Sequence, residues 1–218
     1  MLDRLQTWLI DNHRKKLKTQ LKDARFEFLF NKEQDVFVSF DCETTGLNKS
    51  KDRIITLSAI KILGNKILTS QSLNLAIKQE QAISEESIAI HQIRNLDVVN
   101  DANLYDDEMQ AMEAFLHFIG GATLIGYYLE FDVAMVNQII KPKLGILLPN
   151  SQIDVAGMYH EYQREKHRRS CIEPNIDLSF QAILTTLEMP KLAQHNAFND
   201  ALMSALIFLK LKQLKLSS

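Results

Sequence analysis

The pattern of apolar and polar positions predicts a chain that opens with strands and continues with alternating strands and helices. Val36 to Phe40 is a run of β-branched and aromatic residues, which is typical of a buried strand. The apolar segments 53–63 and 66–77 flank the turn signal Gly64-Asn65, so we expect them to form a hairpin. The remaining predicted elements are strands at 122–127 and 151–155 and helices at 84–91, 105–119, 130–140, 158–166, 177–187 and 196–216.

This order of elements indicates an α/β fold with a mixed five-stranded sheet flanked by helices. Two local signals set helix ends in this prediction. Pro142 is expected to end the helix that starts at Glu130, because proline cannot donate a backbone hydrogen bond. Asp177 is expected to cap the helix that follows it.

Residues 1–34 differ from the rest of the chain. Leu2, Leu5 and Leu9, and further along Leu17 and Leu21, recur at helical spacing, with a gap near His13 and a basic polar side. The pattern predicts an N-terminal helical extension over residues 1–34, followed by one domain over residues 35–218. The extension is expected to pack on the domain or on a second copy; docking to a nucleic acid or a partner is the alternative.

Composition describes an ordinary globular protein. The 218 residues are 46% apolar with a formal net charge of −2, so no overall basic excess announces nucleic-acid binding. Two cysteines, Cys42 and Cys171, argue against a disulfide framework. Neither a signal peptide nor a membrane-spanning apolar run is visible, so we expect a cytoplasmic protein that makes no membrane contact.

Two acids follow the first strand directly. Asp41 and Glu43 are two residues apart, so they share one face of the strand, while Cys42 faces the other side. Neighbouring carboxylates at the end of a buried strand repel each other, and a divalent cation such as Mg²⁺ or Mn²⁺ would remove that cost. Two solvated acids at a strand-to-turn junction are the alternative.

Further acids stand near predicted helix starts. Asp132 falls in the first turn of a helix, where it would either complement the helix dipole or hold a metal. His195 and Asp200 are five apart, so they converge only if His195 lies in the loop before the last helix. Asn196 is then a plausible N-cap. His195 read alone is an ordinary loop histidine.

Together these residues form a recognisable constellation. FDCETTGL at residues 40–47, Phe131-Asp132 and His195 five before Asp200 resemble the motifs of the DEDDh exonucleases. In pattern the chain is most similar to DNA polymerase III epsilon subunits, over about residues 35–212. The resemblance implies an RNase H-like fold and a metal-dependent 3′–5′ exonuclease that releases 5′-mononucleotides from DNA 3′ ends in proofreading or repair.

The resemblance also implies roles for individual residues. Asp41, Glu43, Asp132 and Asp200 would hold two divalent cations, Mg²⁺ or Mn²⁺, about 3.5–4 Å apart. His195 would act as general base, with Asp41 and Glu43 completing the catalytic set. The residues that would bind the frayed or single-stranded 3′ end are Thr44, Gly46, Leu47, His91 and Phe131.

One motif departs from the family. The family's second motif often begins with histidine and asparagine, whereas this chain has Tyr127 and Tyr128. Two other readings therefore stay open: an exoribonuclease with the same chemistry, and a catalytically impaired module that binds a polymerase subunit or a sliding clamp. Residues 213–216, QLKL, resemble part of a clamp-docking peptide, although a frayed helix end accounts for them better.

Overall fold

The computed structural model describes residues 12, 14–79, 103–168, 175–193 and 195–216. A helical stretch at residues 14–20 and a 3₁₀ helix, Ala24–Phe30, precede the sheet. The strands are β1 (Val36–Thr44), β2 (Ile54–Leu63), β3 (Lys66–Ile77), β4 (Leu104–Tyr105), β5 (Thr123–Gly126) and β6 (Gln152–Asp154). The later helices are α1 (Glu108–Ile119), α2 (Glu130–Leu144), α3 (Val155–Lys166), α4 (Phe180–Thr186) and α5 (Ala197–Leu216).

The six strands form one mixed sheet in the order β4-β3-β2-β1-β5-β6. β1, β2 and β3 pair antiparallel. Residues 45–53 connect β1 to β2, whereas a tight turn joins β2 to β3, where Gly64 has a φ of +60°. β5 pairs parallel to β1, and β6 pairs parallel to β5. The predicted α/β fold with a mixed sheet is confirmed.

The predicted count of five strands was wrong by one. Leu104 and Tyr105 form β4, which pairs parallel with the end of β3. Tyr105 had been assigned to the following helix, but α1 begins only at Glu108, after the N-cap Asp107. A two-residue strand is too short to show alternation, so only its pairing with β3 defines it.

Two helix-end predictions were also wrong. α2 continues through Pro142 to Leu144 and ends at Gly145, whose φ of +76° is left-handed. Proline in the last turn removes only one helical hydrogen bond, so two further helical residues can follow it. The helix at residue 180 is capped by Ser179, whose Oγ accepts from Ala182 N, while Asp177 accepts from Ser179 N.

Helices cover both faces of the sheet. Val38, Phe40 and Cys42 of β1 face a core shared with α1 and α2, and Phe37 faces a second core shared with α3, α4 and α5. Phe26 and Leu29 of the 3₁₀ helix are buried in the first core. The division of the chain at residue 34 stays a prediction, as does the predicted helix at 84–91, which lies outside the described residues.

Candidate active site

Three carboxylates meet where β1 ends. Asp41 and Glu43 lie on one face of β1, and α5 brings Asp200 to them from its first turn. Oxygen atoms of all three lie within 4.8 Å of one another. A bulge in the β1–β2 pairing falls between Glu43 and Thr44, so the strand changes direction immediately after the second acid. We call Asp41, Glu43 and Asp200 the acidic trio.

A buried hydrogen bond fixes α5 against β1. Ser39 Oγ donates to the carbonyl oxygen of Ala201 at 2.8 Å, and Ser39 is fully buried. Ser39 stands two residues before Asp41 and so shares its face, while Ala201 follows Asp200 directly. This contact therefore sets the distance between two members of the trio. The signal for Ser39 in the sequence is a small polar residue within an apolar strand.

Asp132 lies against the back of the trio rather than among it. Its Oδ1 accepts a hydrogen bond from the backbone N–H of Cys42 at 3.0 Å, and the residue is only 4% exposed. This acid comes from the first turn of α2, on the opposite face of the sheet. Because Cys42 separates Asp41 from Glu43, the bond places the fourth acid next to the other three.

Burial and mutual repulsion shape the titration of these acids. Burial raises the pKa of Asp41 well above its usual range, and the charges of Asp132, Asp200 and Glu43 add to the effect. Burial followed by the charge of Asp200 raises the pKa of Glu43 to about 7. Burial also raises the pKa of Asp132 to about 7, although the hydrogen bond from Cys42 opposes it. Burial raises the pKa of Asp200 as well, although backbone hydrogen bonds oppose the shift.

These properties fit a divalent cation. Clustered oxygen ligands are the donors that Mg²⁺ and Mn²⁺ prefer. Burial and neighbouring acids raise the pKa values of Asp41 and Glu43, so the ionised carboxylates lack a compensating charge. A cation between the carboxylates would supply the missing positive charge.

His195 lies in the loop before α5. Its φ of +60° is left-handed, and its backbone N–H donates to Oδ2 of Asp200 at 2.9 Å. Asn196 caps the helix, with its Oδ1 accepting from the N–H of Asn199 at 3.1 Å. The His195 side chain is exposed. The loop thus places this histidine beside the trio by a main-chain contact.

The turn after β1 is held by a carboxylate that the sequence did not single out. Asp52 accepts hydrogen bonds from Thr45 Oγ1 and from the N–H of Asn48. A Cβ at Gly46 would lie 2.6 Å from Oδ2 of Asp52, so only glycine leaves room for this acid. In the sequence, the signal for this turn is Gly46 followed six residues later by Asp52.

The predicted substrate-binding residues are placed differently from one another. Thr44 is buried and its Oγ1 donates to the carbonyl of Gly46 at 2.7 Å, while Leu47 is 80% exposed at the tip of the turn. Phe131 is half-buried against the first core. His91 lies outside the described residues. Their roles stay predictions.

The two tyrosines of the second motif have unequal surroundings. Tyr127 Oη donates to the carbonyl of Leu178 at 2.9 Å, and its ring centroid lies 4.8 Å from that of Phe180. Tyr128 has a φ of +50° and is 54% exposed. The left-handed backbone explains why asparagine suits this position, since asparagine adopts that conformation more readily than tyrosine.

The segment that resembles a clamp-docking peptide, Gln213 to Leu216, lies within α5, which extends to Leu216. Within the described part of the chain, no helix combines the length and the apolar character that crossing a membrane requires.

Comparison with curated proteins finds DNA polymerase III PolC-type relatives. The chain is 30% identical over 178 residues to a DNA polymerase III PolC-type from Caldanaerobacter subterraneus subsp. tengcongensis, covering 80% of this chain and 11% of that protein. The chain therefore spans about a tenth of the length of the curated relatives it matches.

Solved structures share the fold. The zinc-bound complex of E. coli ExoI with single-stranded DNA matches with a TM-score of 0.66 at 15% identity, covering 84% of this chain and 41% of that one. Exonuclease X with 5′-overhanging duplex DNA matches with a TM-score of 0.56 at 20% identity, covering 82% of this chain and 92% of that one.

The family assignment comes from a match over most of the domain. A family model described as Exonuclease, RNase_T, matches residues 38–208, a range that contains the trio, Asp132 and His195. The chain belongs to the DEDD-type 3′–5′ exonuclease family, a family of nuclease hydrolases.

Proposed function

We propose that this protein is a metal-dependent 3′–5′ exonuclease that releases 5′-mononucleotides from DNA 3′ ends in proofreading or repair. The observation that carries the proposal is the acidic trio, whose oxygen atoms lie within 4.8 Å of one another on a buried strand end. DNA as the substrate is supported by relatives that are DNA polymerases and by similarly folded exonucleases solved with DNA.

Asp41, Glu43 and Asp200 would hold one divalent cation, with Asp41 and Asp132 holding a second; Mg²⁺ and Mn²⁺ are the candidates. When bound, such ions lower the pKa of the attacking water and stabilise the negative charge of the leaving 3′ oxygen. The N–H of Cys42 donates to Oδ1 of Asp132 and would orient the carboxylate for this role.

His195 would accept the proton of the attacking water. An imidazole has an ordinary pKa near neutrality, which suits a general base at physiological pH. The loop that carries it is tied to Asp200 through the His195 N–H, so the base and the acidic ligand move together. An exposed ring at this point is accessible to the substrate and can return its proton to water.

The turn after β1 would support the terminal nucleotide. Leu47 projects from the turn with 80% of its surface exposed, and Thr44 braces the turn from inside. In this arrangement Leu47 would contact the terminal base, and Gly46 would allow the backbone to approach the strand. Phe131 and His91 complete the proposed substrate-binding set.

Digestion of end-labelled DNA tests the proposal. Single-stranded DNA labelled at its 5′ end should shorten stepwise with Mg²⁺ or Mn²⁺, release mononucleotides, and stay intact in EDTA. His195→Gln should slow cleavage by about 10²–10⁴-fold while keeping metal affinity, as expected of a general base. No cleavage of DNA under any of these conditions would refute the proposal.

Two alternatives use the same experiment. The same ladder on RNA instead of DNA would identify an exoribonuclease. No cleavage of either, together with capture of a purified polymerase subunit or sliding clamp, would identify a binding module, a role that the Tyr127-Tyr128 departure favours. We also propose a polymerase subunit or sliding clamp as a partner, and a cytoplasmic location.

A further inference from the structure

Tyr128 combines three properties that are unusual together. It is one of four large apolar or aromatic side chains among the described residues that remain exposed, at 54%. Its φ of +50° is a backbone conformation that bulky residues rarely adopt. It lies four residues before Asp132, in the turn that leads into α2, where the N–H of Phe131 donates to its carbonyl at 3.0 Å.

The exposed ring is held in place from behind. The ring centroids of Tyr128 and Tyr127 are 4.4 Å apart, and those of Tyr127 and Phe180 are 4.8 Å apart. Tyr127 is itself fixed, since its hydroxyl donates to the carbonyl of Leu178 at 2.9 Å. Tyr128 is therefore the outermost ring of a cluster of three rings, tilted by 47° to Tyr127, and about half of its surface is exposed.

Tyr128 also lines a groove of about 470 Å³ together with Phe131 and Lys49. The cation that lines this groove is already paired. Lys49 Nζ lies 2.9 Å from Oε1 of Glu130, and the carboxylate of Asp154 accepts three backbone N–H groups. A groove with aromatic walls and no unpaired cation among its described residues favours a neutral planar group over a phosphate.

The groove lies beside two segments of the proposed exonuclease site, the turn after β1 and the start of α2. The Lys49–Glu130 ion pair links the segment after Leu47 to the start of α2. That helix carries Asp132 one residue after Phe131. A strand whose 3′ end reached the acidic trio would therefore pass close to the Tyr128 ring.

We propose that Tyr128 is a stacking platform for one base of single-stranded DNA entering the site. The contact would be independent of the base sequence. The inference rests on the proposed exonuclease function. Stacking on an aromatic ring suits any base, because every base has a π face. The contact with Tyr127, whose hydroxyl is held by Leu178, restrains the Tyr128 ring, so less side-chain entropy is lost when a base binds.

The test measures DNA binding separately from cleavage. The full chain is titrated in EDTA with fluorescent single-stranded DNA, intact or carrying one abasic site that is moved one nucleotide at a time from the 3′ end. We expect one abasic position to weaken binding by about 5- to 150-fold, the usual value of one stacked base.

Variants of Tyr128 assign that loss to its ring. Tyr128→Gly suits the left-handed backbone and removes the ring, so it should bind intact DNA as weakly as the unmodified protein binds the abasic strand, with no further loss on that strand. Tyr128→Phe keeps the ring and should bind like the unmodified protein. Thermal unfolding checks that both variants are folded.

Two results would overturn the platform. One is unchanged affinity of Tyr128→Gly for intact DNA; the other is a loss of equal size on intact and abasic strands, which would not involve a base. Metal-dependent cleavage that persists alongside either result would leave the exonuclease proposal standing. Absence of both binding and cleavage by the unmodified protein would overturn both proposals.

Discussion

Neutralising Glu43 should stabilise the protein when metal is removed. Burial and the neighbouring Asp200 raise the pKa of Glu43 from 4.5 to about 7. Each pH unit of such a shift corresponds to about 1.4 kcal/mol, so keeping this carboxylate ionised in the fold costs about 3 kcal/mol. Glu43→Gln removes the charge with little change of shape. In a protein of this size the gain corresponds to a rise in Tm of roughly 5–10 °C.

The effect has a definite pH dependence. The folded protein binds the Glu43 proton more tightly than the unfolded chain does, so this contribution to stability is present below pH 4.5 and is lost as pH rises to about 7. The variant and the unmodified protein should therefore unfold at similar temperatures near pH 4.5 and diverge fully above pH 7.

Thermal unfolding followed by circular dichroism in EDTA checks this prediction. Glu161→Gln is a matched control, because Glu161 is exposed and pairs with Lys215 on the surface; it should change stability by less than about 1 kcal/mol. Added Mg²⁺ or Mn²⁺ should stabilise the unmodified protein more than Glu43→Gln. A variant that is no more stable than the unmodified protein in EDTA at pH 8 would refute the idea of unrelieved repulsion.

Three further substitutions test the site's construction. Asp41→Asn should abolish metal-dependent cleavage, measured on labelled DNA, because it removes the carboxylate that faces all the other acids. Ser39→Ala should cost about 1 kcal/mol of stability through the lost bond to Ala201, and calorimetry should show weaker metal binding. Gly46→Ala should raise KM for DNA more than it lowers kcat, because its Cβ would displace Asp52 from the turn.

Matched variants separate these effects from general destabilisation. Ser179→Ala also removes a single hydroxyl contact, at the start of α4, and should lower stability without weakening metal binding. Gly157→Ala lies in α3 with its nearest contact at 4.0 Å and should be neutral or slightly stabilising. Metal affinity lost equally in Ser179→Ala and Ser39→Ala would remove Ser39 from its positioning role, and normal cleavage by Asp41→Asn would remove the metal hypothesis.

Features with a local cause were predictable from the sequence. The alternation along Val36 to Glu43 defined both faces of β1, and Gly64-Asn65 defined the hairpin that follows. Asn196 was recognisable as a cap because its side chain bonds only three residues along the chain. The loop position of His195 followed from its spacing to Asp200.

Features that depend on distant partners were not predictable in this way. β4 exists because Leu104 and Tyr105 meet the end of β3, and no pattern within two residues can announce that. The bond from Ser39 joins positions 162 residues apart. The prediction for Pro142 was wrong because a proline near the end of a helix breaks few helical hydrogen bonds. Here Gly145, rather than Pro142, ends the helix.

The acidic trio joins the two ends of the domain, since Asp41 and Glu43 belong to the first strand and Asp200 to the last helix. The site therefore cannot exist until nearly the whole chain has folded. A nascent or partly unfolded molecule would lack the site that we propose for metal binding and DNA cleavage. A bound cation would link the first strand to the last helix, so displacement of the first turn of α5 would release the metal.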